Sequence, residues 1–413
     1  FFAAAALAMY HWAERILRSR AGAWLAAAAY TLAPFHLVNV YVRGDSLSEF
    51  AAFAFYPLIL WGLDRLARQP TLQSALLPAL AYAGLIVTHN VSALIFSPFV
   101  LLYLAFHIWR FLARDSALRF VNALSYSSLL VLPLAIALLL SAWFWLPAIY
   151  ETKYVQLDVQ TTGYFFYGNH FRGANLIQRT PLFSYATGRD SHSPFAIGLV
   201  QAILASTGIL VIGGSYIGRR YRLRDERPRP GTEQNARYPR PDYAILAFAI
   251  LGLLLSTWLI TPLSRPLWDR LPLLPMIQFP WRFLSVQALF AALISGAVVG
   301  AFTGRRARAS SWVSAAVLGA LLAATALIGL RPEYLPIRAD EVTVRQLQLY
   351  ELFTGNIGST IRGEYLPRAA KPRPYTGPAL FTPDAPARAL VVDGAILDSR
   401  RLEQQPSTRI WEV

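Results

Sequence analysis

Apolar runs near the length of a bilayer crossing constrain this chain more than any other feature. About 20 helical residues span a hydrocarbon core of about 30 Å. Ten runs approach that length: residues 1–16, 21–41, 50–66, 73–88, 91–112, 120–148, 196–217, 242–260, 283–303 and 311–330. Residues 73–112 read either as two helices or as one broken helix. Charged residues make up 15% of the 413, against roughly 25% in soluble domains. The expected fold class is therefore mainly α, a polytopic membrane protein of about ten transmembrane helices.

A net charge of +15 would suit a nucleic-acid binder, but the arginines are not gathered on a basic face with interleaved aromatics. They sit in alternate loops. Arg15, Arg18 and Arg20 follow the first run, Arg65 and Arg68 the third, and Arg110, Arg114 and Arg119 the fifth. Eight arginines from Arg219 to Arg240 follow the seventh, and Arg305, Arg306 and Arg308 the ninth. By the positive-inside rule these loops are cytoplasmic. Membrane lipids are the expected partners, and nucleic acid is not.

That orientation puts residues 42–49, the turn at His89 and Asn90, the loop 149–195, the stretch 261–282 and everything after 331 outside. YVRGDSLSEF, residues 41–50, then becomes a short external hairpin that places Arg43, Asp45 and Glu49 at the membrane surface. The first run travels from outside to inside, so the chain reads as a fragment that lacks an upstream helix and external loop. Residues 1–330 are expected to form the membrane domain, and residues 331–413 an extracytoplasmic α+β segment that is itself cut short. In that tail DEVTVRQLQLYELF is amphipathic, while ALVVDGAILD and RIWEV have strand character.

Chemistry-bearing motifs are sparse. The absence of cysteine removes disulfides and thiolate chemistry. The six histidines never occur as H-x-H or H-E-x-x-H, so no residue is assigned as a metal ligand. No Walker loop, nucleophile elbow or dinucleotide fingerprint is present.

Two external stretches stand out. YETKYVQLDVQTTGYFFYGNHFRG, within 149–195, is too long for a simple turn and too aromatic for disorder. It reads either as an interfacial aromatic belt or as a surface helix or lid over a lipid-facing groove. TPLSRPLWDRLPLLPMIQFPWRF carries five prolines, which forbid a continuous helix. It reads as a re-entrant segment bearing Arg265, Asp269, Arg270 and Arg282, whose guanidinium groups either snorkel to the interface or bind phosphate.

RGDSLSEFAAFAFYPLILW, HNVSALIF, QFPWRF and GEYLPR carry a resemblance. The chain resembles the bacterial polytopic membrane proteins labelled "6-pyruvoyl-tetrahydropterin synthase-related", which are similar to YfhO-type proteins and to GT-C class membrane glycosyltransferases. The pterin label itself does not transfer, because the zinc-binding histidine triad it implies is missing. The GT-C likeness implies a polyprenyl-phosphate-linked sugar as donor and an acceptor at the outer face. It also implies an acidic residue in the first external loop, acting as base or as ligand of a divalent metal ion. That loop is expected upstream of Phe1.

On the positions present, the resemblance marks Arg43, Gly44 and Glu49, then Phe279 to Arg282, and Glu364 to Pro367. Arg43 and Arg282 become expected phosphate contacts, with His89, Arg270, Trp281 and Glu364 as further substrate contacts. Asp45 or Glu49 becomes the acid near the acceptor or a metal. A plain salt bridge between Arg43 and Glu49 is the competing reading. Three functions compete: glycosyltransferase, lipid or polyprenyl transporter, and noncatalytic scaffold for envelope assembly. The crowding of polar residues on one face favours surface chemistry or binding over a midplane pathway.

Overall fold

The computed structural model describes residues 1–44, 46–113, 120–187, 194–225, 241–300 and 305–331. Beyond these it describes residues 334, 336–344, 346–347, 365, 367–368, 400–405 and 408–412. The chain divides into two compact units, Phe1–Tyr334 and Leu335–Val413.

The first unit is helical. It begins with α1 (Phe2–Leu17), α2 (Arg20–Thr31), α3 (Pro34–Tyr41), α4 (Leu47–Ala52) and α5 (Phe55–Arg68). Then come α6 (Leu72–Thr88), α7 (Asn90–Leu112), α8 (Phe120–Leu140) and α9 (Ala142–Glu151). After a long loop follow α10 (Leu199–Asp225), α11 (Tyr243–Ile260), α12 (Arg265–Arg270), α13 (Leu284–Gly300) and α14 (Arg305–Leu327).

Among the described residues, eight spans are long and apolar enough to cross a membrane. Two of the ten expected runs are not among these eight. The runs at 1–16 and 73–88 fold as α1 and α6, with 16 and 17 residues, about the lower limit of the length that spans a bilayer.

Residues 73–112 form two helices. His89 ends α6 and begins α7, with its imidazole accepting the Ser92 amide as an N-cap. The chain reverses there, because Tyr82 of α6 reaches back to hydrogen-bond Ser97 of α7 at 2.5 Å.

α13 is apolar all round and lies at the centre, against α2, α10 and α11. Small residues let it come close. A Cβ on Gly22 would meet the Gly296 carbonyl oxygen at 2.7 Å, and one on Gly296 would meet that of Gly22 at 2.5 Å. Backbones in contact in this way are how apolar helices pack without a hydrophobic driving force.

Two spans are interrupted. Between α2 and α3 the helix breaks at Leu32 and Ala33 ahead of Pro34, and between α4 and α5 it breaks at Phe53 and Ala54. Carbonyls freed in this way must find donors. Gln201 of α10 donates to Leu32 O at 3.3 Å, and the Tyr30 hydroxyl donates to Phe53 O at 2.7 Å.

At one end of the unit, four helix termini are bound by charge. Asp64 of α5 pairs with Arg15 of α1 and with Arg68. Asp242, the N-cap of α11, takes Arg68 at 3.5 Å and Arg110 of α7 at 3.1 Å. The C-terminal ends of α1, α5 and α7 and the N-terminal end of α11 therefore lie together.

In the second unit the described residues include a 3-10 turn at Ala339–Glu341 and an antiparallel pair, β1 (Arg400–Gln405) with β2 (Thr408–Glu412). These pieces do not amount to the α+β segment expected there. Half of the amphipathic stretch and all of ALVVDGAILD lie outside the described residues.

Candidate functional site

The other end of the helical unit holds the YVRGDSLSEF hairpin. α3 ends at Tyr41, and Gly44 turns the chain at φ +43°, a backbone that a side chain would strain. α4 then carries Glu49 back into the protein, where its side chain is only 1% exposed.

Two guanidinium groups meet that carboxylate. Arg43 Nη1 donates to Glu49 Oε2 at 2.5 Å and to Asn39 Oδ1 at 2.6 Å. Arg282 Nε lies 3.6 Å from the same Oε2. Arg282 Nη1 also donates to Ile277 O at 2.9 Å and to Gln278 Oε1 at 3.3 Å. Gln278 itself takes φ +66°, the kind of backbone that persists only where its surroundings hold it. The Arg43–Glu49 salt bridge is thus present, but as half of a shared arrangement: one buried carboxylate serves two cations.

His89 borders this cluster. Its Nδ1 accepts the Ser92 amide at 3.1 Å and contacts Ser92 Oγ at 2.7 Å, which leaves the other ring nitrogen as the N–H. Burial, reinforced by Arg282 and Arg43 and opposed by Glu49, lowers its pKa to about 4. Ser285 donates to Arg282 O at 2.8 Å, and the Tyr56 hydroxyl approaches Ser285 at 3.5 Å and Ser92 O at 3.3 Å.

Aromatic rings roof the cluster. Phe195, Trp281 and Phe279 stack in sequence, with centroids 3.9 Å and 4.8 Å apart and rings within 19° of parallel. Arg43 lies over Trp281 at 5.2 Å and Arg282 over Phe279 at 5.0 Å. His170 and Tyr164 of the long loop pack edge-on against Phe279.

That loop is a series of 3-10 turns rather than a surface helix. It is pinned by Arg172 N to Ile260 O, Phe183 N to Thr325 O and the Tyr185 hydroxyl to Ala326 O. The proline-rich stretch is likewise a chain of short turns around buried Trp268, whose indole donates to Leu259 O.

The structure thus brings together Arg43, Glu49, His89, Trp281 and Arg282. Arg270 stands apart, exposed at the end of α12 with no hydrogen bond or ion pair among the described residues. Asp45 and Glu364 lie outside the described residues.

Sequence reasoning missed Asn39 and Gln278. Asn39 had a signal, since it lies one helical turn before Arg43. Gln278 becomes relevant only through the turn that aims it at Arg282.

Among the described residues no group of three or more His, Asp or Glu side chains could hold a metal ion. Glu49 does not suit one either. Its charge is already opposed by two guanidinium groups that would repel a cation.

Compared with protein-family models, curated proteins and solved structures, the chain matches none. Function therefore rests on the site's own chemistry.

Proposed function

We propose that the chain is a GT-C-like membrane glycosyltransferase acting at the outer face on a polyprenyl-phosphate-linked sugar, for modification of an envelope glycan or lipid. The observation that carries this reading is the convergence of Arg43 and Arg282 on Glu49 beneath an aromatic roof. This cluster lies at the end away from the arginine-rich connections, which the positive-inside rule makes cytoplasmic. The extracytoplasmic position of residues 331–413 belongs to the same reading, as does the resemblance to YfhO-type proteins.

In the proposed reaction an acceptor hydroxyl attacks the anomeric carbon of the donor. The bond from that carbon to the phosphate oxygen breaks, and the phosphate leaves with the electron pair. Guanidinium forks suit the leaving oxygens, where negative charge grows. The acceptor proton needs a base. Glu49 is poorly placed for that work because its buried carboxylate is already engaged by Arg43 and Arg282; it acts as the group that positions them. Asp45 is then the hairpin's candidate base.

A second reading is transport of a polyprenyl lipid. The paired interruptions at Leu32–Ala33 and Phe53–Ala54 favour it, since broken spans mark substrate sites in transporters.

The test uses purified wild-type, Arg43→Lys and Arg282→Lys proteins in nanodiscs. Lysine keeps the charge and loses the planar fork, so polyprenyl-phosphate affinity should fall in both variants. Unchanged affinity in folded variants rejects the phosphate role. Transfer of labelled sugar supports the enzyme, whereas movement of lipid across vesicles without transfer supports the transporter.

A further inference from the structure

We propose that the arginine-rich end of the helical unit encloses an internal water site, formed where Trp12, Tyr103 and His107 converge on the Asp64 carboxylate. It lies at the opposite end from Glu49 and stands apart from the glycosyltransferase reading.

α7 presents Tyr103, His107 and Arg110 at spacings of four and three, so they share one face of the helix. Arg110 is partly exposed and reaches Asp242 at 3.1 Å. His107 lies one turn further in and meets Tyr103 edge-on at 4.5 Å. Tyr103 is then about 10 Å deeper along the axis than Arg110, at about 1.5 Å per residue. From α1, Trp12 comes within reach of the Tyr103 hydroxyl, and Arg15 holds Asp64 of α5. Tyr103 feels the charges of Asp64, Asp242 and Arg68, and His107 those of Arg110, Asp242, Arg68 and Arg15. These groups form one polar column that descends from the surface into the bundle.

The column ends in atoms without partners. Trp12 and Tyr103 are fully buried and His107 nearly so. Yet Trp12 Nε1, the Tyr103 hydroxyl and His107 Nε2 each lack a hydrogen bond. Other buried aromatic groups of this unit are served: the Trp268 indole donates to Leu259 O and the Tyr30 hydroxyl to Phe53 O. An orphaned polar group in an apolar bundle is costly, and lipid chains offer it nothing.

Chemistry selects the partner. The indole only donates and the Asp64 carboxylate only accepts, so the group between them must accept from one and donate to the other. An anion would accept from Trp12 but stand against Asp64, whose charge leads those acting on Tyr103. A cation would be repelled by Arg15 and Arg68, which hold Asp64. Water meets both demands, and buried water characteristically joins about three such groups. It enters past the partly exposed Arg68, Arg110 and Asp242, so solvent at this end penetrates about two turns into the bundle.

The test is hydroxyl-radical footprinting by X-ray radiolysis, read by mass spectrometry on the wild-type chain in nanodiscs, because radicals formed from bound water oxidise the side chains beside it. Trp12 and Tyr103 should be oxidised several-fold faster than Trp268 and Tyr30, which are equally buried but hydrogen-bonded. Tyr103→Phe removes one contact to the water, and Trp12 oxidation should then fall relative to Trp268. Trp12 and Tyr103 as unreactive as Trp268 and Tyr30 overturn the proposal without any variant. Rapid oxidation of all four at one rate marks general opening of the bundle and overturns it as well. Unchanged Trp12 oxidation in a folded Tyr103→Phe protein overturns the shared site.

Discussion

The Tyr30 hydroxyl donates to the Phe53 carbonyl at 2.7 Å, joining the interruption of one apolar span to the interruption of another. The cause lies four residues beyond Phe53. Pro57 has no amide hydrogen to offer that carbonyl, so the helix leaves it unpaired. Removing the donor should expose that cost. Tyr30→Phe is expected to lose roughly 1–2 kcal/mol while keeping the fold, measured as thermal stability by size-exclusion chromatography. A stability equal to wild type would mean that another group serves Phe53.

Close approach of α2 and α13 should tolerate no side chain. Gly296→Val forces a branched group into the Gly22 carbonyl and should destabilise by more than about 2 kcal/mol. Gly213 of α10 has open space around it and supplies the control. Gly213→Ala should be neutral or stabilise by up to about 1 kcal/mol through helix propensity. Equal stability of the two variants would show that the contact is not needed.

The state of His89 predicts a pH dependence. Its folded pKa of about 4 lies below the ordinary value of 6.5, so the unfolded chain binds a proton first as pH falls. The stabilising contribution is therefore complete above about pH 6.5 and lost as pH drops through 4. His89→Asn keeps a capping acceptor for α7 and removes the titration. Wild type should lose melting temperature between pH 6.5 and 4.5 more steeply than His89→Asn; parallel curves would contradict the assignment.

Sidedness can be measured directly, because the chain contains no cysteine. Cysteines replacing Gln69, between α5 and α6, and Leu263, after α11, should label from opposite faces with an impermeant thiol reagent. Leu263 is 76% exposed, so poor access is not an explanation for failure. The positive-inside rule puts Gln69 on the cytoplasmic face. Labelling of both from one face would overturn the topology.

Helices were legible in the sequence because length and hydropathy are local properties of a segment. A run such as 242–260 needs no knowledge of its neighbours to become α11 (Tyr243–Ile260). Alternating arginines were legible for the same reason, and Arg15, Arg68 and Arg110 do gather at one end. Helix interruptions were half legible: Pro34 announces the break after Leu32, but nothing local shows that Gln201 completes it.

The site itself was decided by tertiary structure. The hairpin's charges suggested a pair between Arg43 and Glu49, while the sharing of Glu49 with Arg282 depends on how α4 and the FPWRF turn pack. Arg172 finds Phe195, and Phe195 finds Trp281, only because the long loop folds back onto the ends of α11 and α14. Apolar helices of similar composition can pack in many arrangements. The one adopted here is selected by close contacts such as Gly22 on Gly296, where the absence of a side chain matters more than any pattern a single segment displays.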